Sequence, residues 1–328
     1  MTCKDNPFEE IRRLFVDVAQ KRAIQQGGRP ARRTVFRKLH GVAQGELILE
    51  PSRSEALRKG IFSGSRYPCW TRFSSDVAPE QPDSENGTIG IGIKLFDVVG
   101  KTLGPHDPLA PTADIILQNH DVFFVDTAAD MCGFTEAALK GGAAFQEWLL
   151  AHPETQPILD AMNKREESVL TATYWSVLPY AFGEHLAVKY RLRATGTAAG
   201  CVMGADPHRL ATDLRHRLLA DQAVLDFEVQ VPLDGKLLPI DRATVRWQEA
   251  DAPFIKVGQL VLKKQDIAAE GQPAYGEALA FTPWRTLPEN QPLGSLAESR
   301  RLAYPSSANQ RCKVNGQPVA EPHAPRDG

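Results

Sequence analysis

The strongest constraint on the fold is a series of four strand-like runs between residues 34 and 125 with no helical pattern among them. They read TVFRKLHGVAQGELILE, YPCWTRFSSD, TIGIGIKLFDVVG and ADIILQNHDVFFV, and the loops that join them are rich in Pro, Asp and Gly. Parallel neighbours need a crossover long enough for a helix, so strands that follow one another this closely pair antiparallel. Glycines at 41 and 45 mark a bulge or a close approach in the first run. The expected class is α+β, built on an antiparallel sheet or barrel with helices inserted between its strands.

Helical patterns fall outside those runs. Residues 6–26 form an amphipathic segment in which Asn6 caps, Pro7 opens the first turn, Glu9 sits at the capping-box position, and Ile11, Leu14, Phe15 and Val18 share a face. Residues 127–167 hold two helical stretches, and DPHRLATDLRHRLLAD holds another. Between and after these, VLTATYWSVLPYAFG, HLAVKYRLRATG, AVLDFEVQVPL and FIKVGQLVLKKQD return to strand composition. The expected organisation is an N-terminal helical arm at 1–30, one domain at 31–315, and a disordered tail at 316–328.

Composition excludes several classes. A formal net charge of -2 gives no electrostatic case for nucleic acid or an anionic membrane. No apolar run approaches the roughly 20 residues that span a bilayer. The start, MTCKDNPFEE, turns acidic where a secretion signal needs an apolar core. Five scattered cysteines without CxxC spacing argue against a disulfide framework and a structural zinc site, so a cytoplasmic protein is the expectation.

One stretch carries suggestive chemistry. In RRLAYPSSANQR, Tyr304 has Arg300 four residues before it and Arg311 seven after it. A phenol is a poor metal ligand until it loses its proton, and neighbouring guanidinium groups favour the phenolate. Tyrosinate is one of the known proximal ligands of haem iron, with catalase as the standing example. Upstream, His40, Arg72 with Ser74, and Asn119 lie on successive strand-like runs.

Taken together these motifs resemble the haem catalase superfamily, over residues 34–314. KLHGVAQGELIL is similar to the strand of the distal histidine and WTRFSSD to the Arg-Phe-Ser strand. GTIGIGIKLFD resembles the strand that follows. ADIILQNHDVFFV is similar to the strand of the distal asparagine, FIKVGQLVLKKQD to a late barrel strand, and RRLAYPSSANQR to the proximal tyrosine motif. The resemblance implies a catalase-type antiparallel barrel with inserted helices and without a C-terminal helical domain. It implies haem b as cofactor, with Tyr304 as iron ligand and Arg300 supporting it as tyrosinate. Arg37, Arg72 and Arg311 would pair the propionates, and Phe123 would lie against the macrocycle. His40 would be the distal acid–base, Ser74 its support and Asn119 the amide donor.

The departures bear on the distal side. Counting back from Phe123-Phe124 without a gap puts Gln118 at the amide position, and Asn119 is preferred because a short amide on a shifted strand is easier to place. His120 and Asp121 replace threonine and proline, and Leu39 is neither of the family's usual residues before the histidine. The expected activity is cleavage of hydrogen peroxide or an organic peroxide, in an assembly of identical subunits. Alternatives are a fatty-acid hydroperoxide lyase or dehydratase, with a lipid hydroperoxide as substrate, and a non-catalytic haem-binding protein.

Overall fold

The computed structural model describes residues 2–85, 87–105, 107–196 and 206–326. The four early runs form strands β1 (Lys38–Leu49), β2 (Arg66–Ser75), β3 (Ile89–Phe96) and β4 (Thr112–Gln118), each antiparallel to the next. The later strands are β5 (Tyr174–Trp175), β6 (Tyr180–Phe182), β7 (Leu186–Ala194), β8 (Ala223–Gln230) and β9 (Phe254–Leu262). Pairing of β9 with β1 and of β5 with both β4 and β7 closes an eight-stranded antiparallel barrel, and β6 adds to β7 outside the ring. The closure is narrow at one seam, where β5 meets β4 only through Trp175 and Gln118 and meets β7 through two residue pairs. The expected α+β antiparallel barrel is what the chain forms.

Side chains alternate across the wall with the strand period. Leu47, Phe73, Ile91, Ile93, Ile115 and Leu117 point inward and join one buried cluster. The even-numbered residues of β2 to β4 therefore face out, among them Arg72, Ser74, Gly90 and Gln118. Helix α6 (Arg209–Ala220) plugs one end of the barrel with Leu210, Leu214 and Leu218, which recur every four residues and join the same cluster. His208 and His216 are exposed beside it, as two charged-face histidines should be.

The N-terminal arm starts as α1 (Pro7–Arg12), where the Asn6 side chain accepts from Glu9 N–H as the sequence indicates. It then differs from a plain α-helix: Arg13–Gln20 winds as a π-helix before α2 (Lys21–Gln25) closes the arm. The helical region at 127–167 is divided into three helices rather than two, α3 (Ala128–Lys140), α4 (Gly142–Ala151) and α5 (Thr155–Met162). The break after α3 falls at Gly141 and Gly142, which take φ of 68° and 54°, values that suit glycine. Two further helices, α7 (Gln272–Ala278) and α8 (Ser295–Asn315), lie against the outside of the barrel and the arm respectively.

Two expectations need correction. The cysteine pattern argues against disulfides, yet Cys3 of the arm is bonded to Cys132 of α3, with Cα atoms 5.6 Å apart. Residues distant in sequence were brought together by packing of the arm on α3, which spacing alone does not reveal. Cys69 and Cys312 are buried free thiols, and Cys201 lies outside the described residues. The tail, expected to be disordered, forms no helix or strand after Gly316 among the described residues but inserts Glu321 into a buried charge network. Glu321 accepts from Thr112 at 3.0 Å and pairs with Lys94 and with Arg285 at 3.2 Å.

Candidate active site

Arg300, Tyr304 and Arg311 sit on α8 at separations of four and seven residues, which places them on one stripe of the helix. The Arg300 Nη2 donates to the Tyr304 hydroxyl oxygen at 2.9 Å, and its guanidinium lies 5.0 Å from the ring centre. Burial opposes the charge on Arg300, but the phenols of Tyr304 and Tyr180 hold its pKa above the ordinary value. Tyr180 itself is pushed up to about 12 by burial, with Arg300 opposing. Tyr180 therefore stays a phenol, and Tyr304 is the tyrosine in direct contact with a guanidinium.

Arg311 extends from the same stripe toward a cluster of arginines under α7. Arg311 Nη2 donates to the Leu279 carbonyl at 3.1 Å, and Arg33 donates to the same carbonyl. Arg33 Nη1 pairs with Glu277 at 3.1 Å, while Arg72 Nη2 stands 3.6 Å from that carboxylate. The balance is uneven: three guanidinium groups face one carboxylate. Burial and then mutual repulsion with Arg72 and Arg311 pull the Arg33 pKa well below its usual range. Burial lowers Arg72 to about 10 despite Glu277. The Nε and Nη2 of Arg72 and the Nε of Arg311 are buried without a hydrogen-bond partner. Buried donors left unpaired cost about 1–3 kcal/mol each, more when charged. A site with two surplus positive charges and spare donors is chemically suited to a ligand carrying two carboxylates.

Of the arginines expected there, Arg72 and Arg311 are present. Arg37 is half-buried and makes no hydrogen bond or ion pair among the described residues, its charge acting on Asp76. Arg33 stands in the cluster instead. The sequence holds four arginines at 29, 32, 33 and 37, and their spacing does not say which one turns inward.

On the outer wall of the barrel Ser74, Gly90 and Gln118 are lateral neighbours across three strands. Gly90 lacks the side chain that would meet the Phe36 ring, at 2.6 Å from an added Cβ. Gln118 Nε2 is buried with no hydrogen-bond partner. Asn119, one residue on, has the inward parity. Its Nδ2 donates to Glu166 at 2.8 Å and its Oδ1 accepts from Ile89 N–H at 3.0 Å. The structure thus groups Gln118, not Asn119, with Ser74 and Arg72; the pleat decides this, and the gap-free count also pointed there. Phe123 packs in an aromatic cluster with Phe124, 4.4 Å between ring centres, beside Leu296 and Ala297 of α8.

His40 lies where the β1–β2 register slips between Leu39 and Gly41, so it is the extra residue of a bulge. It is 2% exposed, and both ring nitrogens are buried without a hydrogen-bond partner. Burial lowers its pKa to about 4; Asp83 opposes this, and Lys38, Arg72 and Arg209 reinforce it. His40 is therefore a neutral imidazole at neutral pH, able to take up and return a proton. The chain thus holds a tyrosine–arginine pair and a dianion-sized surplus of charge along α8, and a buried neutral histidine on β1 that shares the field of Arg72 with that cluster.

That barrel and helix arrangement is the catalase fold. No family model matches the chain, and no curated protein matches it in sequence. Among solved structures, a fungal catalase superposes with a TM-score of 0.68 at 19% identity, covering 90% of this chain and 63% of its own. A bacterial catalase gives 0.69 at 19% identity, covering 94% and 64%. Catalase A from Saccharomyces cerevisiae gives 0.68 at 18% identity, covering 90% and 65%. The chain thus spans a little under two thirds of the length of these catalases.

Proposed function

We propose that this chain is a haem-dependent hydroperoxidase, with Tyr304 as iron ligand. The observation that carries the reading is the pairing of Arg300 with Tyr304 on the same helix stripe as an arginine cluster that has two positive charges in surplus. Arg300 would hold Tyr304 as tyrosinate. Arg33, Arg72 and Arg311 would neutralise the two propionates of haem b, using the guanidinium atoms that now lack partners. Bound haem would supply the redox-active iron at which a peroxide O–O bond is cleaved.

The chain's own residues handle the proton and the approach. Neutral His40 would accept the proton of the incoming hydroperoxide on a ring nitrogen and return it to the departing oxygen. Such positioned acid–base help is worth about 10²–10⁴-fold. Gln118 takes the amide role assigned by the sequence to Asn119, since its Nε2 is free and its face is that of Ser74. An assembly of identical subunits remains part of the proposal and is read by light scattering.

A second reading concerns the substrate. A cleft of about 490 Å³ opens beside Leu39 and Glu277, where Pro30, Ala31, Pro273 and Ala274 share the walls with Arg32, Lys38, His208, Asn315 and Gln317. That volume is in the range of sites for small organic ligands, so an organic or lipid hydroperoxide competes with hydrogen peroxide as substrate. Oxygen evolution from hydrogen peroxide, set against consumption of an organic hydroperoxide without oxygen, separates them. The haem itself is tested by the absorption spectrum of the purified protein. A Soret band is expected, and Tyr304→Phe should shift or abolish it; an unchanged band in that variant sinks the assignment.

A further inference from the structure

A carboxylate from a loop that the sequence motifs pass over stands beside His40. Asp83 Oδ2 stands 3.9 Å from His40 Nδ1, and the side chains are 1% and 0% exposed. Asp83 is held in place from three directions. Its Oδ1 is 2.6 Å from Lys38 Nζ, its Oδ2 accepts from Leu210 N–H at 2.9 Å, and its own N–H donates to the Pro207 carbonyl at 2.9 Å. Leu210 lies in the first turn of α6, where the helix dipole also favours a negative group. The carboxylate is thus a fixed reference against which the imidazole must orient.

We propose that Asp83 is the positioning residue of His40, holding the imidazole with its Nδ1–H toward the carboxylate and leaving Nε2 as the free lone pair of the site. The reasoning is a matter of donors and acceptors. A neutral imidazole has one N–H and one lone pair, and an ionised carboxylate only accepts. A lone pair on Nδ1 would face the Asp83 oxygen and be repelled, so the proton belongs on Nδ1. No other acceptor competes, because neither ring nitrogen has a hydrogen-bond partner, Ser74 included. The separation is longer than a hydrogen bond, as apo geometry of such pairs often is before a site is assembled.

Burial above all keeps the ring neutral while it waits; Asp83 opposes it, and Lys38, Arg72 and Arg209 add to the effect of burial. A base in this setting takes a proton only transiently, and the carboxylate of Asp83 is placed to stabilise that moment. The use of Nε2 in catalysis rests on the hydroperoxidase reading; the tautomer does not.

The test is nitrogen-15 NMR of His40 in the purified protein, with its signal identified by its loss in His40→Gln. Any bound iron is reduced and capped with carbon monoxide so that the sample is diamagnetic. The Nδ1–H tautomer is expected at pH 7. Asp83→Asn should mix the tautomers and lower the His40 titration midpoint by about one unit or more, whereas Lys38→Met should raise it. In enzyme that turns over, the acid limb of the kcat/KM profile should follow the midpoint in each variant. A dominant Nε2–H tautomer in the unaltered chain, or a midpoint that moves the same way in both variants, overturns the proposal. Should Asp83→Asn not fold, an unchanged or lowered midpoint in Lys38→Met has the same force. Absence of haem would defeat the functional reading alone, since the NMR result stands without it.

Discussion

At the scale of single residues, the buried imidazole of His40 links site chemistry to stability. Its pKa is about 4 in the fold against 6.5 for the free side chain. The unfolded chain therefore binds a proton that the folded one refuses as pH falls. The contribution is fully present above pH 6.5 and is lost as pH falls through about 4, amounting to about 3 kcal/mol at 1.36 kcal/mol per unit. Denaturant melts of the unaltered chain should show this loss between those limits, and His40→Gln should flatten that part of the curve. Equal slopes in both proteins would mean that His40 is solvated. The Arg300–Tyr304 contact was legible in the sequence from residue type and a four-residue spacing, whereas His40 was singled out only by the resemblance of its strand to a family motif. Gln118 was one of two residues the sequence left for the amide position, and pleat parity sets it on the face of Ser74; Arg33 and Asp83 were not legible, since they reach their places from loops that meet only in three dimensions.

At the scale of elements, the strands were readable and the helices only partly so. Alternation and turn residues mark a strand locally, and β1 and β3 fall within the runs that show it while β2 and β4 each start one residue earlier. The π-helical turns of the arm and the long α8 follow instead from packing, α1 and the π segment lying along α8. Pro305 illustrates the point. It suggests a break after Tyr304, yet α8 runs for 21 residues through it. Proline has no N–H for the carbonyl of Arg301, and in a helix interior it typically costs about 3 kcal/mol or more. Pro305→Ala should therefore stabilise the protein, by roughly 1–3 kcal/mol once partial relaxation is allowed for. The midpoint of urea unfolding reads this, and a fall in stability would show that the ring of Pro305 packs where a methyl does not suffice. On the proposal that Tyr304 ligates haem, the absorption band of the variant also reports whether the missing hydrogen bond sets the tyrosine's position.

At the scale of the whole molecule, both ends of the chain are tied back onto the body. The Cys3–Cys132 bond fixes the arm to α3, where Ile11, Leu14 and Ala128 form a buried cluster that includes Ala303 beside Tyr304. At the other end Glu321 enters a network that contains Lys94 and Asp114, whose side chains are fully buried and 2.7 Å apart. Burial pushes Asp114 up to about 6 even with Lys94 beside it, and Glu321 adds to the rise. None of this was visible in the sequence, because QPVAEPHAPRDG has the composition of a solvated tail and only a cation pocket on the barrel gives its glutamate a place. The carboxylate also meets Arg285, itself 1% exposed. Removing one partner of a buried ion pair costs about 3–5 kcal/mol, since the other charge stays desolvated. Glu321→Gln should lower stability by an amount of that order at pH 7, read as a shift in the denaturant midpoint with an unchanged slope. Glu289→Gln, on the surface far along the chain, should shift it by less than about 0.5 kcal/mol. If the two variants behave alike, Glu321 is not seated in the network and the tail does not brace the barrel.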